Sequence, residues 1–219
     1  MNDLQGKKFI ASYSGGKDSI LAVYRAIQAE LSLLELITTY NTGADRSWFH
    51  GITENLIQKV SDSLGIPIRL IKTSGERYEA NFEKALSDAK SRGAEVCVFG
   101  DIDIEGHLEW CTARCENTGL IPYFPLLKEE RKKLVYEFID SGFSAIITIV
   151  DTARIPGDFL GQVLSREVAD LIEKSGADIC GENGEYHTFV YYGPIFAEKI
   201  DFQISGRVER DKYSILNIG

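Results

Sequence analysis

Short apolar runs alternate with stretches of helical period along most of this chain. Residues 9–13, Phe-Ile-Ala-Ser-Tyr, predict a first strand, and the run from Ile20 through Tyr24 opens a helix. A second apolar run covers 33–40, and Ile52, Leu56, Ile57, Val60 and Leu64 then mark one face of a helix that stops at Gly65. Residues 68–71 predict a third strand, followed by a helix on Tyr78, Phe82, Leu86 and Ala89 that Gly93 ends. A fourth strand at 96–99 leads into Gly100-Asp101. Helices around 107–117 and 130–141 flank a short segment at 121–124, and 145–150 reads as a fifth main strand.

This alternation predicts an α/β fold, a parallel doubly wound, Rossmann-like sheet covered by helices on both faces. Ligands of such sheets bind beyond the carboxyl ends of the strands, where the strand order reverses. The segments after residues 13, 40 and 99 therefore converge on one crevice. Past Val150 the texture changes: a turn at 158–162, a short helix at 165–174, and a stretch at 178–192 dense in glycine and charge. Ile200, Phe202 and Ile204, then Tyr213, Ile215 and Leu216, predict short antiparallel strands. The expected division is a main domain, 1–144, and a smaller C-terminal α+β lobe, 145–219, with no flexible linker and no internal repeat.

With 219 residues, 44% hydrophobic and 26% charged, the composition is that of a globular protein. No apolar stretch approaches the ~20 residues that span a bilayer, and the N-terminus runs into the first strand without a leader, so a cytoplasmic protein off the membrane is expected. The net charge of −9 argues against a protein that grips nucleic acid. The densest basic run, 128–133, includes Glu129 and Glu130 and reads as a solvated helix face. Cys111 and Cys115 lie one helical turn apart, but no second Cys pair or nearby His pair completes a metal set, so these thiols and those of Cys97 and Cys180 are expected to pack.

Candidate chemistry concentrates in two segments. Ser14-Gly15-Gly16-Lys17-Asp18-Ser19 joins a strand to a helix N-terminus, an anion cradle with two hydroxyls and a mobile cation added. It is not a Walker A loop, because its glycines are adjacent and Asp18 separates Lys17 from Ser19. Gly181-Glu182-Asn183-Gly184-Glu185-Tyr186-His187-Thr188 packs carboxylates, an amide, an imidazole and a phenol around two glycines. Its carboxylates can bind Mg²⁺, hold an ammonium group or act as a base, or the segment can be a solvated turn feeding a strand.

The first segment resembles the pyrophosphate loop of the N-type ATP pyrophosphatases. The second, with Gly193-Pro194-Ile195-Phe196 after it, resembles the signature of the diphthine–ammonia ligase family and its bacterial relatives. Residues 99–102, 124–127 and 159–161 fit as well, so the likeness runs from Lys8 to Phe196 with both signatures in family order. It implies an adenine nucleotide alpha-hydrolase-like fold and an AMP-forming amidation: a carboxylate is adenylated, pyrophosphate leaves, and ammonia or an amine attacks. The resemblance places ATP on Ser14, Gly15, Gly16, Lys17, Asp18, Ser19, Thr39, Tyr40, Gly100 and Asp101, with Mg²⁺ held by Asp18 or Asp101. Lys17, Asp18, Glu182 and Glu185 are the expected catalytic residues, Glu185 as the base for ammonium. Asn183, Tyr186 and His187, with His107 and Trp110, would face an acceptor carrying a carboxylate, a small molecule or a protein.

One segment departs from the family. The ligases carry an arginine-rich helix start after Gly100-Asp101, whereas this chain reads Asp-Ile-Glu-Gly-His-Leu-Glu-Trp over 103–110, and His187 replaces a common glutamate. Both features resemble the diphthine–ammonia ligase-related ATP pyrophosphatases of bacteria, which make no diphthamide. Elongation factor 2 is thus the implied acceptor only for an archaeal or eukaryotic chain. Two further readings stay open at this point: ATP-dependent modification of tRNA or another acceptor, and a sensor that binds ATP or AMP without turnover. A homodimer is equally left open.

Overall fold

The computed structural model describes residues 3–48 and 50–219; Met1 and Asn2, with which the reading of the N-terminus began, and Phe49 lie outside that description. The chain runs β1 (Lys8–Ser12), α1 (Lys17–Gln28), β2 (Ser32–Asn41), β3 (Arg46–Ser47), α2 (Glu54–Leu64), β4 (Ile68–Thr73), α3 (Tyr78–Ser91), β5 (Val96–Val98), α4 (Glu105–Thr118), β6 (Ile121–Tyr123) and α5 (Arg131–Asp140). Five strands pair in parallel in the order β4-β2-β1-β5-β6. Successive residues of the central strands enter different cores. Phe9 and Ala11, Leu36, Val96 and Val98 pack under α1 and α2, whereas Ile10, Ile37, Cys97 and Phe99 pack under α3 and α4. Burial on both faces is why these strands read as unbroken apolar runs.

Local signals set the helix ends. The Thr53 hydroxyl accepts the Leu56 N–H at 3.3 Å at the start of α2, and Gly65 closes that helix with φ 64°. Strand order reverses between β1 and β5, so the crevice beyond their carboxyl ends is the topological switch point. β3 pairs antiparallel with Tyr40 and Asn41 at the far end of β2, while β1 pairs with the near end of β2 and β4 takes its other side. β3 thus continues the row of β1 past its carboxyl end, and His50 and Ile52 after it come against Gly16 and Gly15 in the loop that follows β1.

β7 (Ser144–Asp151), α6 (Arg166–Lys174), β8 (Tyr186–Tyr192), β9 (Ile204–Arg210) and β10 (Tyr213–Ile218) complete the chain. The four strands form a separate antiparallel sheet in the order β8-β7-β10-β9. This corrects the reading of 145–150 as a fifth main strand. An apolar run buried on both faces looks the same in either sheet, and it is β6, three residues long, that takes the edge of the parallel one. The alternation of Ile200, Phe202 and Ile204 is likewise no strand until Ile204. Ile200 is buried, and Phe202 packs against the rings of Phe189 and Tyr191 at 5.6 and 5.4 Å.

Phe143, just before β7, and Ala145, Ile147, Phe189 and Val190 of the second sheet share one core with Phe9, Leu21 and Leu56. The antiparallel sheet therefore stacks on the α1/α2 side of the parallel one. The four cysteines are buried and unpaired. Among the described residues, no helix is long and apolar enough to cross a membrane.

Candidate active site

The loop after β1 is held open by contacts its sequence requires. Gly15 adopts φ 91°, a region costly for residues with a Cβ, and its carbonyl accepts the Val190 N–H of β8 at 2.9 Å. The Ser14 and Ser19 hydroxyls lie 3.2 Å apart, and Ser19 Oγ donates to the Gly16 carbonyl at 2.9 Å. Gly16 caps α1 without a side-chain hydrogen bond; the Lys17 N–H is taken by Thr188, which leaves the Asp18 and Ser19 amides of the first turn, where an anion is favoured. Gly100, after β5, presses against this turn: a Cβ there would sit 2.8 Å from Asp18 C and Ser19 N.

Lys17 is 5% exposed and reaches across the crevice. Its Nζ lies 2.6 Å from Asp18 Oδ2, donates to the Cys180 carbonyl, and stands 5.4 Å over the Tyr186 ring. Burial alone would depress the ammonium, but Asp18, then Tyr186 and Cys180, outweigh it and hold Lys17 well above its ordinary range. The Lys17 N–H donates to Thr188 Oγ1 at 3.1 Å. The turn that supplies the Cys180 carbonyl is organised by Asp178, which accepts the N–H groups of Cys180 and Glu182 at 3.0 and 2.9 Å. Arg131 pins Asp178 from outside, 2.5 Å away.

A cavity of about 410 Å³ opens between these walls. Ser14, Lys17, Asp18, Ser19, Gly100, Asp101, His107, Trp110, Glu182, Tyr186 and His187 all line it, so most of the residues singled out in the sequence come together. Burial, then Asp18, raises the Glu182 carboxyl to about 7. Burial also raises Asp101, against the pull of His107, whose Nδ1 is 3.4 Å from Asp101 Oδ1. One side of the cavity is aromatic: Trp110 packs on Phe82 and Tyr78 at 5.1 and 5.8 Å and still faces the cavity.

Several expected residues lie elsewhere. Glu185 is 3% exposed and turned into its own loop, accepting the Asn183 N–H at 3.0 Å and the Asn183 amide at 3.2 Å, with Arg154 at 3.6 Å. Neither Glu185 nor Asn183 lines the cavity; Glu182 is the carboxylate of that segment that does. Tyr40 is buried, with its hydroxyl 3.0 Å from Asp45. Thr39 lines a side crevice of about 20 Å³ that shares Ser12 and Ser14 with the cavity.

Sequence reasoning missed His50, which also lines the cavity. It is a lone histidine in the loop between β3 and α2, with no spacing to any other polar group that would single it out. Its Nδ1 is 2.8 Å from the Thr188 carbonyl, and its ring stands 4.9 Å from that of His187, edge to face. Burial, then His187, pushes His50 down to about 3; burial, then Lys17, lowers His187 to about 4. Both rings are neutral at pH 7.

The family model described as "Diphthamide synthase N-terminal domain" matches residues 7–122, and that described as "Diphthamide synthase C-terminal domain" matches 130–218. The chain is 36% identical over 222 aligned positions to a diphthine–ammonia ligase of Homo sapiens, covering 87% of this chain and 80% of that protein. A diphthine–ammonia ligase of Danio rerio is 25% identical over 224 positions, with 88% and 85% covered. Among solved structures, a predicted subunit of tRNA methyltransferase from Methanocaldococcus jannaschii DSM aligns with 88% of this chain and 100% of that one, at a TM-score of 0.48 and 15% identity.

Proposed function

The chain belongs to the diphthamide synthase family, and from that premise we propose that it is an ATP-dependent, amide-forming ligase of the diphthine–ammonia ligase type. It adenylates a carboxylate, releases pyrophosphate and passes the acyl group to ammonia or an amine. The observation that carries this reading is the Lys17 ammonium, which joins the loop after β1 to the Cys180 carbonyl in the wall of one shared cavity.

The loop amides and Lys17 take the β and γ phosphates, a cluster of donors aimed at the charge that develops as the α–β bond breaks. An acceptor carboxylate oxygen attacks the α-phosphorus in line, and pyrophosphate departs with the bonding pair. Ammonia then attacks the acyl carbon, AMP leaves, and Glu182 is the cavity-facing carboxylate placed to take the proton. Tyr186, His187, His107 and Trp110 form the acceptor side. Residues 1–144 thus bind and cleave ATP, and 145–219 build the wall against which the acceptor lies. Buried free thiols and the use of ATP suit a cytoplasmic setting.

Magnesium fits this site as a companion of the nucleotide. Among the described residues, no three or more His, Cys, Asp or Glu side chains gather into a metal cage. Mg²⁺ on a nucleotide asks for one or two carboxylates and completes its shell with phosphates and water. Asp18 and Asp101, both on the cavity wall, would hold it, and its charge would offset that of the phosphates.

The test incubates the full chain with labelled ATP, ammonium and a panel of carboxylate acceptors, diphthine-bearing elongation factor 2 among them, and resolves the products. AMP and pyrophosphate that depend on an acceptor are expected, and Lys17→Ala should lower their formation by roughly 100-fold or more. ADP as the product, or undiminished AMP from Lys17→Ala, overturns the reading.

A further inference from the structure

Counted on its own side chains, apart from a Mg²⁺ that would arrive with the nucleotide, the cavity has an unfavourable charge balance for a polyphosphate. Its fixed cation is Lys17, already committed to Asp18 and the Cys180 carbonyl, while Asp18, Asp101 and Glu182 all face the same space. His107 is paired with Asp101 at the mouth. The cavity groups left that can become positive are the two imidazoles His50 and His187.

His50 is the one placed on the loop after β1. Gly16 has φ −91° and ψ 172°, extended backbone that any residue adopts, so conformation does not explain its lack of a side chain. A Cβ there would fall 2.3 Å from His50 Cε1 and 3.0 Å from Nε2. The glycine makes room for this ring. A carbonyl oxygen only accepts, so the 2.8 Å contact with Thr188 puts the proton of the neutral ring on Nδ1. Nε2 is left as a lone pair without a hydrogen-bond partner among the described residues, beside the backbone where the resemblance puts the phosphates.

We propose that His50 is the proton donor to the leaving pyrophosphate: its Nε2 takes a proton from solvent as the nucleotide enters and gives it up as the α–β bond breaks. This rests on the ATP-cleaving reading above and adds a catalytic residue to it. The step balances. The acceptor oxygen forms its bond to the α-phosphorus, the bridging oxygen keeps the electron pair, and the proton on Nε2 passes to pyrophosphate, returning His50 to its neutral form.

Electrostatics supply the switch. Burial, His187 from β8 and Lys17 from α1 all keep the ring neutral, with the Thr188 carbonyl opposing them. One phosphate charge about 4 Å away, at an effective dielectric near 20, is worth about three pH units. Two such charges, about the net charge a nucleotide keeps with one Mg²⁺ on it, carry His50 past neutrality. His187, 4.9 Å away and itself neutral, does not charge together with His50, because two imidazolium rings at that separation repel; the pair takes up one proton when the phosphates arrive.

The chain has three histidines, so nitrogen NMR of ¹⁵N-histidine-labelled protein resolves each ring. The probe is α,β-methylene-ATP, which binds without α–β cleavage, and His50→Gln identifies the His50 signals by their loss. At pH 7 the free protein should show His50 neutral with its proton on Nδ1, and saturation with the probe should convert that ring to imidazolium. His50→Asn keeps an amide donor where Nδ1 stood and cannot carry the proton. It should fold with an unchanged melting midpoint and form AMP roughly 100-fold more slowly. A ring that stays neutral with the probe bound, a free ring protonated on Nε2, or a folded His50→Asn within threefold of wild type overturns the proposal while leaving ATP cleavage intact. If the probe shifts no signal at millimolar concentration, the ATP reading falls and this proposal with it.

Discussion

Gly100→Ala isolates the contact that presses β5 against the loop after β1. Gly100 does not use the left-handed backbone region, so alanine is conformationally acceptable there and the effect is steric. The new Cβ would lie 2.8 Å from Asp18 C and Ser19 N and 2.9 Å from Asp18 O, backbone atoms that no rotamer change can move. Relief to an ordinary contact of 3.4–4 Å displaces the first turn of α1 by 0.6–1.2 Å. Overpacking of this kind costs about 1–3 kcal/mol, which for a chain of this size lowers the melting midpoint by roughly 2–12 °C. The same displacement moves Lys17 and the loop amides relative to the phosphates, and a misplacement near 1 Å costs on the order of 100-fold in rate. Gly106→Ala is the control. It lies in the first turn of α4 with nothing within 4 Å of its would-be Cβ, and should melt at or slightly above wild type. Thermal denaturation and AMP formation are measured on both variants. A Gly100→Ala protein that melts within 1 °C of wild type and keeps its AMP formation would refute the idea that β5 fixes the loop.

Two other perturbations separate structural from chemical roles. Glu185→Ala removes a buried carboxylate that accepts two hydrogen bonds from Asn183, and should cost roughly 2–4 kcal/mol in urea unfolding while sparing nucleotide affinity; a variant of undiminished stability that fails in acyl transfer would return Glu185 to the role of base. His50 and His187, held at about 3 and about 4, stay neutral in the native state, whereas the unfolded rings protonate below their ordinary 6.5. Falling pH therefore favours the unfolded chain, and between pH 6.5 and 4 stability should drop by on the order of 1 kcal/mol per pH unit for each ring. A His50→Asn, His187→Asn double variant should show a shallower pH slope in urea titrations, and an unchanged slope counts against the neutral pair.

Legibility in the sequence follows from how far apart the cooperating residues lie. Residues 14–19 are legible because strand, turn and helix start are contiguous, although the contacts that seat Gly15 and Lys17, with Val190, Thr188 and Cys180, come from far along the chain. Glu182 and Glu185 are equally prominent in sequence, yet only Glu182 reaches the cavity. Asp178 fixes the N–H of Glu182 in a turn, while Glu185 directly precedes β8 and folds back on Asn183. No pattern in residues 181–188 carries that difference, because Asp178 and Arg131 decide it from outside the segment. Tyr40 misleads for another reason: it lies near the end of an apolar run beside the crevice, but its side chain is buried with the hydroxyl on Asp45 and does not line the cavity. His50 is invisible because its partner, Thr188, is 138 residues away.

Those distant ties also explain why the C-terminal sheet is part of the machinery. Val190 N–H to the Gly15 carbonyl, Lys17 N–H to Thr188 Oγ1, Lys17 Nζ to the Cys180 carbonyl, and His50 Nδ1 to the Thr188 carbonyl all cross between the neighbourhood of α1 and residues 180–190. A phosphate loop on a free-standing parallel sheet would present its amides to water on one side. Here the antiparallel sheet closes that side and brings Glu182, Tyr186 and His187 to the other wall of the same cavity. For a two-step ligase this arrangement has a chemical consequence. On the proposed assignment the acyl-adenylate would form facing the wall from which the nucleophile comes, and β8, bonded to Gly15, Lys17 and His50 at once, couples the three. Substitutions at Thr188, which lies between Lys17 and His50 and touches both, should then impair ATP cleavage although Thr188 stands on the acceptor-side strand.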